Sequence, residues 1–201
     1  SIKKHVKNGF AYSGLVSLPT FFGALAMPGA LMGVIFGPTA RAGAGALVGL
    51  AVYQVFRSYS YPLGSVISGT DRPDILTKVR AVTIIIHAPL ALILIQSQGL
   101  VGVVIATAAT EACRLCMMYI FVVQIKESPG LPKEIFEQLF AAIVMFCMIE
   151  IITGAKILSP DTLPTLSILI AIGVGTYFIL LTLVSSNFRN TLQIVAKETI
   201  L

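Results

Sequence analysis

The sequence has 201 residues, of which 56% are hydrophobic and 11% are charged, and its mean hydropathy is +0.91. Soluble domains carry about 25% charged residues, so this composition excludes a water-soluble globular protein and indicates an integral membrane protein. The formal net charge of +5 does not indicate a nucleic-acid partner, because the basic residues are scattered and no recognition-helix or stacking pattern accompanies them.

Six apolar stretches separated by short charged connectors fill most of the chain. A hydrocarbon core about 30 Å thick requires roughly 20 apolar helical residues, and continuous apolar runs are typical of helices rather than of alternating barrel strands. The sequence therefore predicts an all-α polytopic membrane protein with a cytoplasmic segment (residues 1–11), a transmembrane bundle (residues 12–184) and a cytoplasmic tail (residues 185–201). The six predicted spans are residues 12–36, 44–68, 79–95, 100–123, 136–155 and 163–184.

The connectors carry basic residues mainly on one side of the predicted membrane. Lys and Arg accumulate in short cytoplasmic loops, so we expect a multi-pass cell-membrane protein with both termini in the cytoplasm. We also expect contact with membrane lipids, and a chain that is partial. The cytoplasmic set is Lys3, Lys4, Lys7, Arg72, Lys78, Arg80, Lys126, Lys133, Arg189 and Lys197, against Arg41 and Lys156 on the other side.

Prolines interrupt the first three predicted spans at Pro19, Pro28, Pro62 and Pro89. Each proline removes a helix hydrogen bond and tends to kink the helix. Kinked spans are typical of transporters, whose bent helices shape cavities. Proline is also frequent in membrane helices generally, and that alternative stays open.

The second span carries small and polar residues three or four positions apart, which predicts one helix face of this character. Small residues allow a neighbouring helix to approach closely. A charge near the middle of the bilayer costs several kcal/mol unless it meets a partner or water, so Arg57, with Tyr53 and Tyr61 beside it, is the first candidate for a functional group. The stripe is Gly45, Gly49, Tyr53, Arg57, Tyr61, Gly64 and Ser68.

The third, fourth and fifth spans contain further polar candidates. His87 either relays protons or contacts a substrate, or is a neutral packing group. Glu111 and Arg114 lie one turn apart and either neutralise each other or face a solvent-filled cavity. Glu150 lies towards the outer end of its span, where it can snorkel outward, pair with Lys156, pair with Arg57 or titrate during transport.

No enzyme motif occurs in the sequence. There is no nucleophile elbow, phosphate-binding glycine loop or metal-ligand cluster, so we expect neither catalytic residues nor a cofactor. The pair Cys113 and Cys116, like Cys147, lies within a predicted span, where thiols behave as small apolar side chains. We therefore expect no metal site and infer that any chemistry is the movement of a solute.

Three short segments in order resemble the C-terminal half of a polysaccharide or oligosaccharide-lipid flippase. This family belongs to the superfamily that also contains the multidrug and toxin extrusion transporters. The residues 35–37 (Ile-Phe-Gly) with Pro38 and Ala42 resemble the family's Phe-Gly turn before an alanine-rich helix. Residues 69–73 resemble its Gly-x-x-basic-Pro connector, and residues 99–107 are similar to its Gly-x-x-Gly opening of a helix.

The resemblance implies one six-helix lobe of a two-lobe transporter that works by alternating access. The other lobe would be an N-terminal six-helix bundle, expected in the same full-length chain. The substrate would be a lipid-linked glycan, with Arg57 and then Arg114 holding its phosphate by paired hydrogen bonds, and with Tyr53, Tyr61 and His87 lining the path.

Two other classes stay open. A proton- or sodium-coupled antiporter for drugs or small cations would use Glu111 and Glu150 as ion-binding carboxylates. A non-transporting membrane scaffold would have Arg57 and Glu111 paired and sealed from water.

Overall fold

The computed structural model describes residues 2–69, 74–125 and 132–189, with the backbone alone at residues 2–5 and 125. This part of the chain is almost entirely helical and contains no strand. A short 3-10 helix, Pro38–Gly43, joins the second helix to the third. The helices are α1 (Ile2–Ala26), α2 (Pro28–Phe36), α3 (Ala44–Ser68), α4 (Asp74–Ile125), α5 (Lys133–Gly154) and α6 (Leu163–Val184).

The predicted all-α polytopic membrane class is confirmed. Within the described residues, four helical segments are long and apolar enough to cross a bilayer. The number of six spans stays a prediction. The four segments are Val6–Ala26, Asp74–Gln124, Lys133–Gly154 and Leu163–Val184.

The long helix α4 is a hairpin of two antiparallel arms. Gly99 has φ +60° and ψ −138°, a conformation that side chains disfavour and glycine accepts. His87, before this turn, reaches Thr110, after it, with 3.2 Å between Nδ1 and Oγ1. The first arm therefore precedes Gly99 and the second follows it, which places the predicted spans 79–95 and 100–123 on separate arms.

The first predicted span, residues 12–36, is not one continuous helix. It breaks at Met27, which has φ −140° and ψ 50°, and Pro28 opens α2. Proline lacks the donor that would continue the helix and keeps the preceding residue away from helical angles. Pro19, by contrast, lies inside α1 without ending it. The predicted segment 1–11 is also helical from residue 2, because α1 begins at Ile2.

Helix α1 connects two packed groups of helices. One core cluster joins α1 to α5 and α6 and contains Leu18, Met145, Leu169 and Tyr177. The other cluster joins the beginning of α1 to α3 and α4, and Met118 of α4 is one of its buried residues. Because α1 contributes to both clusters, it links the α3 and α4 pair to the α5 and α6 pair.

The first arm of α4 presents an apolar surface. Ile84, Ile85, Leu92 and Ile93 are 64–70% exposed. A contiguous apolar surface of this kind is unfavourable in water and compatible with lipid or with another membrane-embedded surface.

Candidate functional site

Arg57 lies at the middle of α3 and is held by two tyrosines of its own helix. Its Nη1 donates to the Tyr53 hydroxyl at 2.6 Å and its Nε donates to the Tyr61 hydroxyl at 3.0 Å. The guanidinium carbon is 5.7 Å from the centroid of each ring, within the range of cation–π attraction. The tyrosines one turn before and one turn after therefore fix the orientation of the charge.

The guanidinium retains hydrogen-bonding capacity. Arginine has five N–H donors in a planar fork, and the two tyrosines accept from only two of its nitrogens. Among the described residues, no carboxylate forms an ion pair with Arg57 and Nη2 has no hydrogen-bond acceptor. The group is positioned and charged but not neutralised.

A groove of about 780 Å³, whose exposed lining is mostly apolar but includes several polar side chains, runs between α1 and α3 beside this arginine. Ser13 contributes from α1, and Gln54, Ser58, Tyr61 and Ser65 contribute from α3. Tyr61 is 58% exposed. It lines the groove, and its hydroxyl also accepts the hydrogen bond from Arg57, so it connects the groove to the arginine. Serine, glutamine and tyrosine side chains offer both donors and acceptors, which suits a hydroxyl-rich ligand.

Serine hydrogen bonds join the two helices that form the groove. Ser13 donates from Oγ to the Ser58 carbonyl at 2.8 Å, and the Ser58 and Ser17 hydroxyls are 3.0 Å apart. Interhelical hydrogen bonds of this type contribute about 0.6 kcal/mol each in membranes. Gly9 lies directly against Pro62, and both residues line the groove, so the two helices are in close contact there.

Glu111 and Arg114 form the pair that one of the two sequence interpretations described. Arg114 Nη1 lies 3.4 Å from Glu111 Oε2, and the side chains are 28% and 7% exposed. The Nε of Arg114 is buried without a hydrogen-bond acceptor among the described residues. The Glu111 carboxylate is therefore paired with the Arg114 guanidinium of its own helix. Arg114 takes no part in the Arg57 site.

His87 and Glu150 also lie outside the groove. The His87 ring contacts Thr110, whose hydroxyl donates to the Ala106 carbonyl at 2.8 Å, so His87 links the two arms of α4. Glu150 is exposed on α5. Within the described residues it forms no ion pair with Lys156 or with Arg57.

The predicted stripe on the second span does not form one face. Gly45 and Gly49 face Val101 and Val104 of α4, whereas Tyr61 lines the open groove. With 3.6 residues per turn, each step of four residues advances about 40° beyond a full turn. A stripe spaced by four residues therefore winds around the helix, from the packed side to the open side.

Several groove residues were not singled out from the sequence. Ser13 and Ser17 are four residues apart on α1, and Gln54, Ser58 and Ser65 recur on α3. Such spacing is a usable signal, but serines and glutamines are common and only their juxtaposition across two helices marks the groove. Of the family-like segments, Phe36-Gly37 and Gly99 fall at turns, while residues 70–73 lie outside the described residues.

One curated protein is similar to part of this chain. It is a probable low-salt glycan biosynthesis flippase, Agl15, of Haloferax volcanii, with 28% identity over 111 residues. The match covers 55% of this chain and 24% of the relative, so it spans about a quarter of that protein's length. This distant similarity points to a flippase-like family. No family model and no solved structure matches the chain.

Proposed function

We propose that this chain forms a lobe of a membrane transporter that flips lipid-linked oligosaccharide or polysaccharide precursors by alternating access. The groove between α1 and α3 is the wall of the translocation cavity, and a second lobe supplies the opposite wall. The observation that carries the proposal is Arg57, which is oriented by two tyrosines and has no carboxylate partner among the described residues. The partial similarity to a glycan biosynthesis flippase supports the same class of substrate.

The chemistry of the substrate explains why an arginine lies here. A lipid-linked glycan carries a phosphate or pyrophosphate between its lipid and its sugars, and this anion has to cross the low-dielectric core. A guanidinium binds phosphate oxygens through paired N–H groups. The free nitrogen of Arg57 supplies such donors, and the hydroxyls along the groove match the sugar.

The two rival classes receive less support from the observed contacts. An antiporter needs a carboxylate available for ion binding, but Glu111 is paired with Arg114 and Glu150 is exposed away from the groove. A scaffold would pair Arg57 with Glu111 in a dry contact, but Arg57 instead contacts tyrosine hydroxyls beside an open groove. Export of a lipid-linked glycan, rather than of a small cation, remains the discriminating measurement.

The test is surface-glycan export in a strain that lacks the gene and is complemented with variants. A hydrogen bond to a charged group contributes about 1.5–3 kcal/mol, so Arg57→Ala should lower the export rate by about 10- to 100-fold. Arg57→Lys keeps the charge but loses the planar fork, and it should retain an intermediate rate. Surface glycan is measured by lectin binding, with membrane levels of each variant determined by immunoblot.

Arg41→Ala is the matched control. Arg41 is 3.9 Å from Asp161 and both side chains are more than half exposed, so the pair contributes about 0–1 kcal/mol. We expect near-normal export from this variant. Normal export by Arg57→Ala at normal protein levels would overturn the assignment of Arg57.

A further inference from the structure

The serine hydroxyls of the groove between α1 and α3 already donate their hydrogens to backbone carbonyls. Ser13 donates to the Ser58 carbonyl at 2.8 Å, and Ser65 donates to the Tyr61 carbonyl at 3.1 Å. The Ser58 hydroxyl donates to the Val55 carbonyl at 2.8 Å. A hydroxyl has one hydrogen to donate and two lone pairs that accept. These serines therefore offer only acceptor lone pairs to a ligand in the groove.

Gln54 is the groove residue whose hydrogen-bonding groups are uncommitted. It lines the groove and is exposed, and its side chain has no hydrogen-bond partner among the described residues. A carboxamide carries two N–H donors and a carbonyl acceptor. Gln54 therefore presents donors and an acceptor side by side, which the groove serines do not.

Helical spacing places this free amide next to Arg57. Side chains three residues apart on a helix are neighbours, with about 5–6 Å between their Cβ atoms. Gln54 and Tyr61 both line the groove, and the Tyr61 hydroxyl accepts a hydrogen bond from Arg57 Nε at 3.0 Å. The guanidinium and the amide therefore adjoin the same stretch of the groove.

Charge complementarity decides how a ligand would lie there. No described residue that lines the groove is charged, so an anion is attracted to the neighbouring Arg57 guanidinium. A phosphate held by Arg57 brings the group that is bonded to it within reach of Gln54. In a lipid-linked glycan that phosphate joins a hydrocarbon chain to a sugar. A free carboxamide matches the hydroxyls of the sugar and has nothing to bind on a hydrocarbon.

We propose that Gln54 is a specificity-determining residue, which binds the sugar attached to the phosphate that Arg57 holds. This inference rests on the proposed function and names the part of the substrate that the groove recognises. The Gln54 amide can donate to one sugar hydroxyl and accept from the adjacent one. A site that hydrogen-bonds a ligand hydroxyl rejects an analogue that lacks it, because its own polar groups are then left unpaired. Sugars with two adjacent hydroxyls are therefore preferred.

Binding of two soluble phosphate monoesters tests this role. Glucose 1-phosphate and methyl phosphate carry the same anionic group, and only the first has sugar hydroxyls. Ligand-observed NMR titration of the full-length protein in nanodiscs gives Kd for each. We expect glucose 1-phosphate to bind about five- to tenfold more tightly, which is the effect of one or two neutral hydrogen bonds.

Gln54→Leu removes the amide and keeps a side chain of similar size. It should weaken glucose 1-phosphate binding by about five- to tenfold and leave methyl phosphate binding unchanged. Arg57→Ala should weaken the binding of both ligands, because both use the phosphate contact. Gel filtration establishes that each variant is folded.

Gln96→Leu is the matched control, since it makes the same change at an exposed glutamine of α4 that does not line the groove. It should bind both ligands as the unmodified protein does. If Gln54→Leu keeps the preference for glucose 1-phosphate, or the unmodified protein has no such preference, the role of Gln54 is wrong. The proposed function then still stands, provided that Arg57→Ala weakens the binding of both ligands. If Arg57→Ala weakens neither, or neither ligand binds, the phosphate site and the role of Gln54 fall together.

Discussion

At the scale of single residues, the close contacts of small side chains decide how the helices of this protein meet. Gly14 on α1 is the clearest case, because Tyr59 of α3 and Gln138 of α5 both reach the space beside its Cα. Gly23, on the same helix, has no atom within 4 Å of a Cβ placed there. The same residue type is therefore required at one position and replaceable at the other.

Gly14→Ala should lower stability and Gly23→Ala should not. A methyl group at residue 14 overlaps two polar side chains, and overpacking costs about 1–3 kcal/mol. At residue 23, alanine has the higher helix propensity, so the Tm should be unchanged or slightly higher. Thermal unfolding of the detergent-solubilised protein measures both, and equal Tm values would contradict the close approach at Gly14.

The pair Glu111 and Arg114 allows a second prediction at this scale. Removing one member of a buried pair leaves an uncompensated charge and costs about 3–5 kcal/mol, whereas replacing both by apolar residues is often neutral. Arg114→Leu alone should therefore lower the Tm strongly. The double variant Glu111→Leu with Arg114→Leu should recover most of the loss. A double variant that is no more stable than the single one would argue that Glu111 has another partner.

At the scale of elements, backbone geometry at a few positions converts apolar runs into a bundle. The hairpin of α4 depends on Gly99, which has a positive φ, and on Gly102, which lies against the Leu94 carbonyl. The break at Met27 depends on Pro28. These are positions at which glycine or proline has a specific conformational role.

Gly102→Ala should disrupt the α4 hairpin more than Gly99→Ala. A methyl group at residue 102 collides with backbone, which cannot move aside as a side chain can. At residue 99 the cost is the backbone conformation alone, φ +60° with ψ −138°, which is about 1–3 kcal/mol for a residue other than glycine. Gly154→Ala, at the end of α5 with open space around it, serves as the control. The yield of folded protein and its Tm are compared between the two variants. A larger loss in Gly99→Ala than in Gly102→Ala would contradict the described turn.

At the scale of the whole molecule, the described residues form a groove that exposes polar side chains and a separate, extensive apolar surface. The groove between α1 and α3 carries Gln54 and Ser65, both exposed, while the first arm of α4 exposes isoleucines such as Ile85. In a bilayer, polar groups are unfavourable towards lipid. Under the proposed function, the groove is the surface that faces the second lobe and an aqueous cavity.

Cysteine accessibility tests this arrangement. The background variant has Cys113, Cys116 and Cys147 replaced by alanine. In it, Gln54→Cys should react with a charged, membrane-impermeant methanethiosulfonate about tenfold faster than Ile85→Cys. The reason is that the reactive thiolate forms in water. Mass spectrometry of cells labelled over time gives the rates. Equal protection of both positions would place the groove in lipid or in a dry interface.

The membrane class, the helical class and most helix bounds could be predicted from the amino-acid sequence, because all three follow from the length of its continuous apolar stretches. The predicted spans 44–68 and 163–184 coincide with α3 and α6. The sequence also placed Arg57 between Tyr53 and Tyr61, since contacts four residues apart are local. Which polar residues share a surface could not be predicted in this way and depends on how the helices pack. The groove of Ser13 with Ser58, and the contact of Glu134 with Asn187, join residues of different helices, and helical periodicity carries no information on how two helices are rotated against each other.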